Sequence, residues 1–318
     1  MGLSGPFDPG SSRWAVLRAI EGLDPEPDHQ RIVHLSFGYE FPWDSIRALE
    51  IALYRTYCVP SISRLLDRTA EFHNDSQRRY DDTSILVAEM CKWGYEQGRG
   101  REALERMNWA HAHYEISNDD FLYVLSTFIY EPVRWIDRFG WRATCRNERL
   151  GYYWFWREVG RRMGIADIPP SYEAFEDWSR AYERQHFRFA DSNHRVGAST
   201  RDLFAAWFPR LFTPAVRYGI YAMLDDDMLA AFGFPRPLPL TRAFLRGGLK
   251  ARGRAVRWFP PRREPHFFTD DRNRTHPGGY RIAELGPTKL VAAERRLREL
   301  EPAGGERVAA GPPRSSDR

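Results

Sequence analysis

The sequence predicts an all-α protein, on three observations. Apolar residues recur at spacings of three and four along most of the chain, the signature of amphipathic helices, while alternation over six or more residues, the mark of a half-buried strand, is scarce. The 20 Phe, 15 Tyr and 11 Trp make 46 aromatics in 318 residues, enough to line a large interior as well as fill a core. With 42% hydrophobic and 28% charged residues the composition is that of an ordinary globular chain.

The elements follow in order. Residues 1–12 are rich in Gly, Pro and Ser and are expected to be disordered, as is the Pro/Gly/Ala/Arg tail over 301–318, leaving 13–300 as the helical region. A helix is expected over Trp43 to Tyr57, ended by Val59-Pro60 because proline disfavours the helical conformation of its predecessor. Another begins after Pro60 and runs through Leu65, Leu66 and Phe72. A short apolar helix is expected over Ser84 to Lys92, followed by turns at Gly94, Gly98 and Gly100. From Arg101 to Tyr114, Leu104, Met107, His111 and Tyr114 share one face. Ser117 reads as an N-cap with Asp120 at the third helical position, starting a helix from Asp119 to Phe139 that is stopped by Gly140 and kinked by Pro132. It is apolar nearly all round over Phe121 to Tyr130 and so should be buried. Further helices are expected over Asn147 to Met163, Ser171 to about Ala190, Thr200 to Leu211 and Pro214 to Phe232.

Several function classes lose support at once. No apolar run approaches the roughly 18 to 20 residues that span a bilayer, and Met1 to Pro9 has neither the basic nor the apolar part of a signal peptide, so the expectation is a cytoplasmic protein. The three cysteines, Cys58, Cys91 and Cys145, have no CxxC or CxxCH spacing, which excludes a disulfide framework, a zinc finger and covalent c-type haem. There is no GxGxxG after a strand, no Walker loop, no GxSxG and no HExxH. The net charge of +4 is too mild to imply a nucleic-acid partner. It is nevertheless lopsided: nine cations and no acid lie between Leu229 and Arg263. That segment reads as a solvated amphipathic helix or as the candidate for peripheral contact with an anionic membrane, centred on residues 242–263.

Chemistry has few carriers. In His111-Ala112-His113, successive helical residues turn by about 100°, so the two rings diverge and only one can serve a given metal. His111 shares the apolar face; His113 projects away. Residues Arg78-Arg79-Tyr80-Asp81-Asp82-Thr83 precede an apolar run. They read either as a helix cap with ion pairs or as a polar cluster beside a cofactor. Ser117-Asn118-Asp119-Asp120 lacks the ligand alternation of a calcium loop and reads as a cap. Tyr182 to His186, with His194, offers ion pairs or a second ligand.

Taken together, the string Arg78 to Thr83, then Arg106-Met107-Asn108-Trp109-Ala110-His111-Ala112-His113-Tyr114-Glu115 through Tyr123, Glu131-Pro132-Val133-Arg134-Trp135, Trp156 to Ile165 with Asp167-Ile168-Pro169, and Tyr182 to His186 resembles the MpaB-type oxygenases. These share a catalytic domain with the latex-clearing rubber oxygenases. The resemblance covers about residues 40–285. It implies an all-α, globin-like domain holding haem b, with His111 as iron ligand and dioxygen and an apolar, isoprenoid-like small molecule as substrates. Arg79 and Thr83 resemble a polar cluster on the oxygen side, and Asp82 stands where the rubber enzymes have a lysine, a candidate acid/base residue. The Asn-x-x-His match adds Asn108, and Arg79 with it, to the cofactor-binding candidates. The alternatives are a non-catalytic helical protein that binds lipid or haem, and a non-haem metal site joining His111 to His186 or His194 and an acid.

Overall fold

In a computed structural model of the chain, residues 8–300 are described, and among them all regular structure is helical. The chain forms α1 (Ala15–Glu21), α2 (His29–Leu35), a π-helical turn (Ser36–Glu40), α3 (Pro42–Tyr57), α4 (Pro60–Thr69), α5 (Glu71–Asn74), α6 (Ser76–Trp93) and α7 (Gly98–His111). It continues with α8 (Asn118–Phe139), α9 (Arg146–Arg162), α10 (Tyr172–His186), α11 (Asp191–Ala205), α12 (Thr213–Met223), α13 (Asp226–Phe232), α14 (Pro239–Val256) and α15 (Thr288–Leu300). Of the ends expected to be disordered, residues 1–7 and 301–318 lie outside the described residues. Residues 8–12 form a turn in which the Gly10 N–H donates to Asp8 Oδ1 at 2.9 Å.

Local chemistry sets the helix ends. Pro42 and Pro60 start α3 and α4 from the first turn, where the missing N–H costs nothing. Ser117 caps α8 by accepting the Asp120 N–H at 3.1 Å. The helix then runs unbroken through Pro132 to Gly140, as its pattern predicts. Differences from expectation have identifiable causes. The helix after Pro60 stops at Ala70, which adopts the left-handed conformation at φ 57° and divides α4 from α5. Helix α6 starts eight residues before Ser84, so Asp81, Asp82 and Thr83 lie within it and do not cap it. Helix α11 begins nine residues before Thr200. The run from Pro214 to Phe232 is divided at Leu224, where Asp225 caps α13 by accepting the Met228 N–H at 2.8 Å.

Two close crossings bring α9 against its neighbours. A Cβ on Gly151 would stand 2.5 Å from Ile32 of α2, and one on Gly160 would stand 2.6 Å from Leu125 of α8, so both positions require glycine for the helices to pack this closely. The main core joins α6, α7, α8 and α9 through Ile85, Met90, Leu104, Ile129, Tyr152 and Phe155. A second core joins α3, α11 and α13 through Tyr54, Val196 and Phe232.

Between the cores lies a buried ion-pair network. Arg55 of α3 reaches Glu131 of α8 at 3.0 Å, Glu183 of α10 at 3.0 Å and Asp225 before α13 at 2.6 Å. Glu131 is also paired with Arg134 at 2.6 Å, and Tyr123 donates to Glu183 at 3.2 Å. Arg55→Met would leave the carboxylates around it without their common cation. Removing one partner of a buried pair costs about 3–5 kcal/mol, so urea unfolding should show a loss of that order; a loss below about 1 kcal/mol would mean that the network is not a principal tie.

Candidate functional site

A cavity of about 1650 Å³, partly continuous with solvent, opens between α3, α4, α6, α7, α8 and α9. Each helix contributes the face its periodicity presents. From α7 come Met107, Ala110 and His111, with Tyr114 just beyond; from α8 come Phe121, Val124, Leu125 and Phe128; from α4 come Ile62, Leu65, Leu66 and Thr69. The apolar circumference predicted for Phe121 to Tyr130 thus divides into a face packed in the core and a face lining the cavity.

His111 ends α7. Its ring stands edge-on to Phe121, with centroids 5.4 Å apart and planes at 86°. Burial, reinforced by the charge of Arg79, pushes the imidazole down to about 4, against the opposing pull of the Met107 carbonyl one turn back. At neutral pH the ring is therefore uncharged and keeps a lone pair. Its Nδ1 is buried without a hydrogen bond of good geometry, as is Nε1 of Trp156, another cavity residue, which stacks on Phe128 at 4.6 Å. Buried polar atoms are normally paired; Trp156 Nε1 has no partner within the protein.

Arg79, Asp82 and Thr83 line the same cavity from α6. One helical turn apart, Arg79 donates through Nη1 to Thr83 Oγ1, and the Thr83 hydroxyl donates to the Arg79 carbonyl at 2.9 Å. Asp82 is buried, and desolvation raises its carboxyl above the ordinary range against the pull of His276, Gly286 and Arg78. Its Oδ1 accepts from His276 Nε2 at 2.7 Å and its Oδ2 from the Gly286 N–H at 2.9 Å. The neighbouring Asp81 Oδ2 accepts the Thr275 N–H at 3.0 Å and the Thr275 hydroxyl at 2.5 Å. Two adjacent carboxylates on α6 thus hold the segment 275–287, whose Gly286 and Pro287 complete the cavity wall. Gly286, at φ 120°, is in a conformation that favours glycine.

The structure brings His111, Arg79, Asp82 and Thr83 together at this cavity and sets other candidates apart. Asn108 is not in the cavity wall: its Nδ2 donates to the Arg162 carbonyl at 3.0 Å, fixing the end of α7 to the end of α9. His113 is exposed, with Nδ1 2.8 Å from the Trp109 carbonyl. His186 stacks on Tyr182 at 4.1 Å, and His194 Nδ1 lies 2.8 Å from the Phe232 carbonyl. Among the described residues no three His, Cys, Asp or Glu side chains group as metal ligands, so the arrangement of His111 with His186 or His194 and an acid is not formed. Asp120 does more than occupy the start of α8: its Oδ1 accepts from Ser61 at 2.8 Å and Tyr182 at 2.6 Å in the cavity wall. Spacing gave no sign of His276, which lies 194 residues from Asp82.

Residues 51–258 match the family described as ER-bound oxygenase mpaB/B'/rubber oxygenase, catalytic domain. The chain is 28% identical over 242 residues to the ER-bound oxygenase mpaB' of Penicillium brevicompactum, an alignment covering 70% of this chain and 57% of that protein. It is 31% identical over 211 residues to the ER-bound oxygenase mpaB of Penicillium roqueforti (strain FM164), covering 60% and 70%. With the mpaB of Penicillium brevicompactum it shares 32% identity over 165 residues, covering 46% and 42%. The chain thus spans little more than half the length of the first of these relatives.

Asp82→Ala should leave the buried Gly286 N–H without its acceptor, a loss of about 1–3 kcal/mol. The amide of Gly286 should then exchange faster with deuterium than in the parent protein, and protease should cut within 275–287. Unchanged exchange at Gly286 would show that Asp82 does not hold the wall.

Proposed function

The chain belongs to the family of the MpaB/B' oxygenases and the rubber oxygenase catalytic domain, and from that premise we propose that it is a haem-dependent oxygenase that oxidises or cleaves an apolar, isoprenoid-like small molecule with dioxygen. The observation that carries this reading is His111: a buried, uncharged imidazole in the wall of a large, mainly apolar cavity. The residues present fit haem b. His111 would supply a nitrogen ligand to the iron, the aromatic and aliphatic walls would take the ring, and Arg79 and Trp156 Nε1 would offer a cation and a donor to its anionic groups.

Haem bound there would supply the chemistry of dioxygen. The protein's own contribution is placement and charge. Arg79 brings fixed positive charge into a cavity of low polarity, where it acts more strongly than in water. It also orients Thr83, whose hydroxyl can turn from the Arg79 carbonyl to a ligand. Asp82, held by His276 and Gly286, is a buried carboxyl that keeps a proton more readily than an exposed one and so can hold one at Oδ1 or Oδ2 beside the cavity. Apolar faces of α4 and α8 exclude water and accept a hydrocarbon substrate.

Protein prepared in a haem-sufficient host should carry about one haem per chain, counted by pyridine haemochrome, with a Soret band. His111→Ala should lose both while keeping its helical circular dichroism. A His111→Ala protein with the parent spectrum would overturn the assignment of the ligand, and a folded parent that takes up no haem would overturn the cofactor.

Localisation and the lipid partner form a second part of this reading, favoured by α14. No helix among the described residues is long and apolar enough to cross a membrane. One face of α14 nevertheless carries a strip of Leu240, Phe244, Ala251 and Ala255, continued beyond the helix by Trp258 and Phe259. Leu240, Phe244 and Trp258 are 80%, 78% and 87% exposed. Lys250, Arg254 and Arg257 are exposed beside it, while Arg252 on the inner face pairs with Asp44 at 2.9 Å. An apolar strip with cations on its flank fits the surface of an anionic bilayer, on which a cytoplasmic protein would dock. The protein should co-sediment with vesicles containing phosphatidylglycerol and much less with phosphatidylcholine alone. Phe244→Ser with Trp258→Ser should abolish sedimentation. Equal recovery with both vesicle types, or none, would remove the lipid partner.

A further inference from the structure

A second space of about 650 Å³, much of it continuous with solvent, adjoins the first. The two share five residues, Leu53, Tyr80, Thr83, Val87 and Phe128, so Thr83 faces both the space beside His111 and this smaller chamber. From that partition the chamber follows α3 back to Ser45 and α6 forward to Cys91. Each is eight residues from Leu53 or Thr83, or about 12 Å of helix. Phe37, Ile46, Leu49, Ala88 and Phe267 make its surface hydrocarbon. The segment that lines it at 266–268 is tied down: the His266 N–H donates to the Gly38 carbonyl at 2.9 Å, and Lys92 pairs with Asp270.

The polar groups in the chamber are mostly satisfied. Glu50 accepts from Tyr80 at 2.8 Å and from Arg47 at 2.5 Å. Ser45 differs. It is 4% exposed and its Oγ has no hydrogen-bond partner within the protein, beside the hydrocarbon of Ile46 and Leu49. An unmet hydroxyl at the end of a hydrocarbon chamber is the complement of an amphiphile's single polar end.

We propose that this chamber binds the substrate's chain: an extended hydrocarbon with one terminal hydrogen-bonding group, that group meeting Ser45 Oγ and the opposite, apolar end crossing the partition at Thr83 into the main cavity. The inference rests on reading the main cavity as the place of reaction. It adds an anchor and a direction, since a chain held by its polar end at Ser45 presents to Thr83 and the His111 cavity the end farthest from that group.

The test compares geraniol, an acyclic ten-carbon alcohol, with myrcene, a hydrocarbon of similar length, by equilibrium dialysis against the full chain, with haem counted in the same samples. The parent should bind geraniol about tenfold more tightly than myrcene. Ser45→Ala should erase that preference and leave myrcene unchanged. Ala88→Phe, which fills the chamber from a residue that does not line the main cavity, should weaken both by at least tenfold. Haem content should be the same in all three proteins. Equal geraniol affinity in the parent and Ser45→Ala would overturn the proposed anchor, and an Ala88→Phe protein that folds and binds both ligands normally would overturn the chamber; should Ala88→Phe not fold, Ser45→Ala still decides. A parent without haem whose geraniol preference depends on Ser45 would leave the chamber standing and remove only the cofactor reading.

Discussion

The site depends on one buried cation. Arg55 carries its charge in the interior because burial, which opposes ionisation, is outweighed by Glu131, Glu183 and Asp225, and the guanidinium is held well above its ordinary range. The three acids come from α8, α10 and the cap of α13, so a single side chain of α3 ties elements that lie far apart in sequence. An arginine suits this position because its planar, forked donors satisfy several carboxylates at once and it does not deprotonate in a dry interior. The consequence for the site is positional. Helix α3 also supplies Leu53, Thr56 and Tyr57 to the cavity wall, and α8 supplies Phe121, Val124 and Phe128. Holding α3 to α8 at Arg55 and Glu131 sets the width of the space between them.

The electrostatics of the cavity oppose a general tendency. His111 ends α7, where the helix dipole and the free carbonyls favour a protonated imidazole. Burial and the nearby Arg79 act the other way, and they prevail, bringing the ring to about 4. A neutral imidazole at a helix C-terminus is thus a property of the enclosure rather than of the residue's own helix. The same enclosure raises Asp82. One low-polarity space therefore keeps a histidine unprotonated and a carboxyl more readily protonated than it is in water.

How much of this was legible in the sequence varied with range. Periodicity and capping chemistry are local, so the face bearing Met107, His111 and Tyr114, the Ser117 cap and the stop at Gly140 could all be read. Asp81, Asp82 and Thr83 were open to reading as a cap because the polar run before them looks like a loop; in the structure it is the first two turns of α6, and both carboxylates turn to a segment about 200 residues later in the chain. No spacing rule announces such a pairing, and His276 had no motif around it. Asn108 shows the converse limit. Its position relative to His111 fits the Asn-x-x-His pattern, yet three residues along a helix is 300° of rotation, and its amide meets Arg162 rather than the cavity. Helices α1 and α2, seven residues each, are too short to display a period.

Helix α6 separates the two spaces that the fold encloses. Thr83 and Val87 face both cavities, Arg79 and Asp82 face only the larger, and Ala88 and Cys91 face only the smaller. Along one helix the lining passes from charged to hydroxyl to hydrocarbon over about three turns. A molecule that lay across this partition would meet the cation and hydroxyl of Arg79 and Thr83 at its leading end, aliphatic and aromatic surface along its length, and the Ser45 hydroxyl at its other end. Charge inside the smaller chamber is already neutralised at Glu50 by Arg47 and Tyr80, so hydrocarbon could enter without stranding a carboxylate. The buried Ser45 hydroxyl at the far end of the smaller chamber, rather than the size of either cavity, is what would give a chain with one polar end a defined orientation with respect to His111.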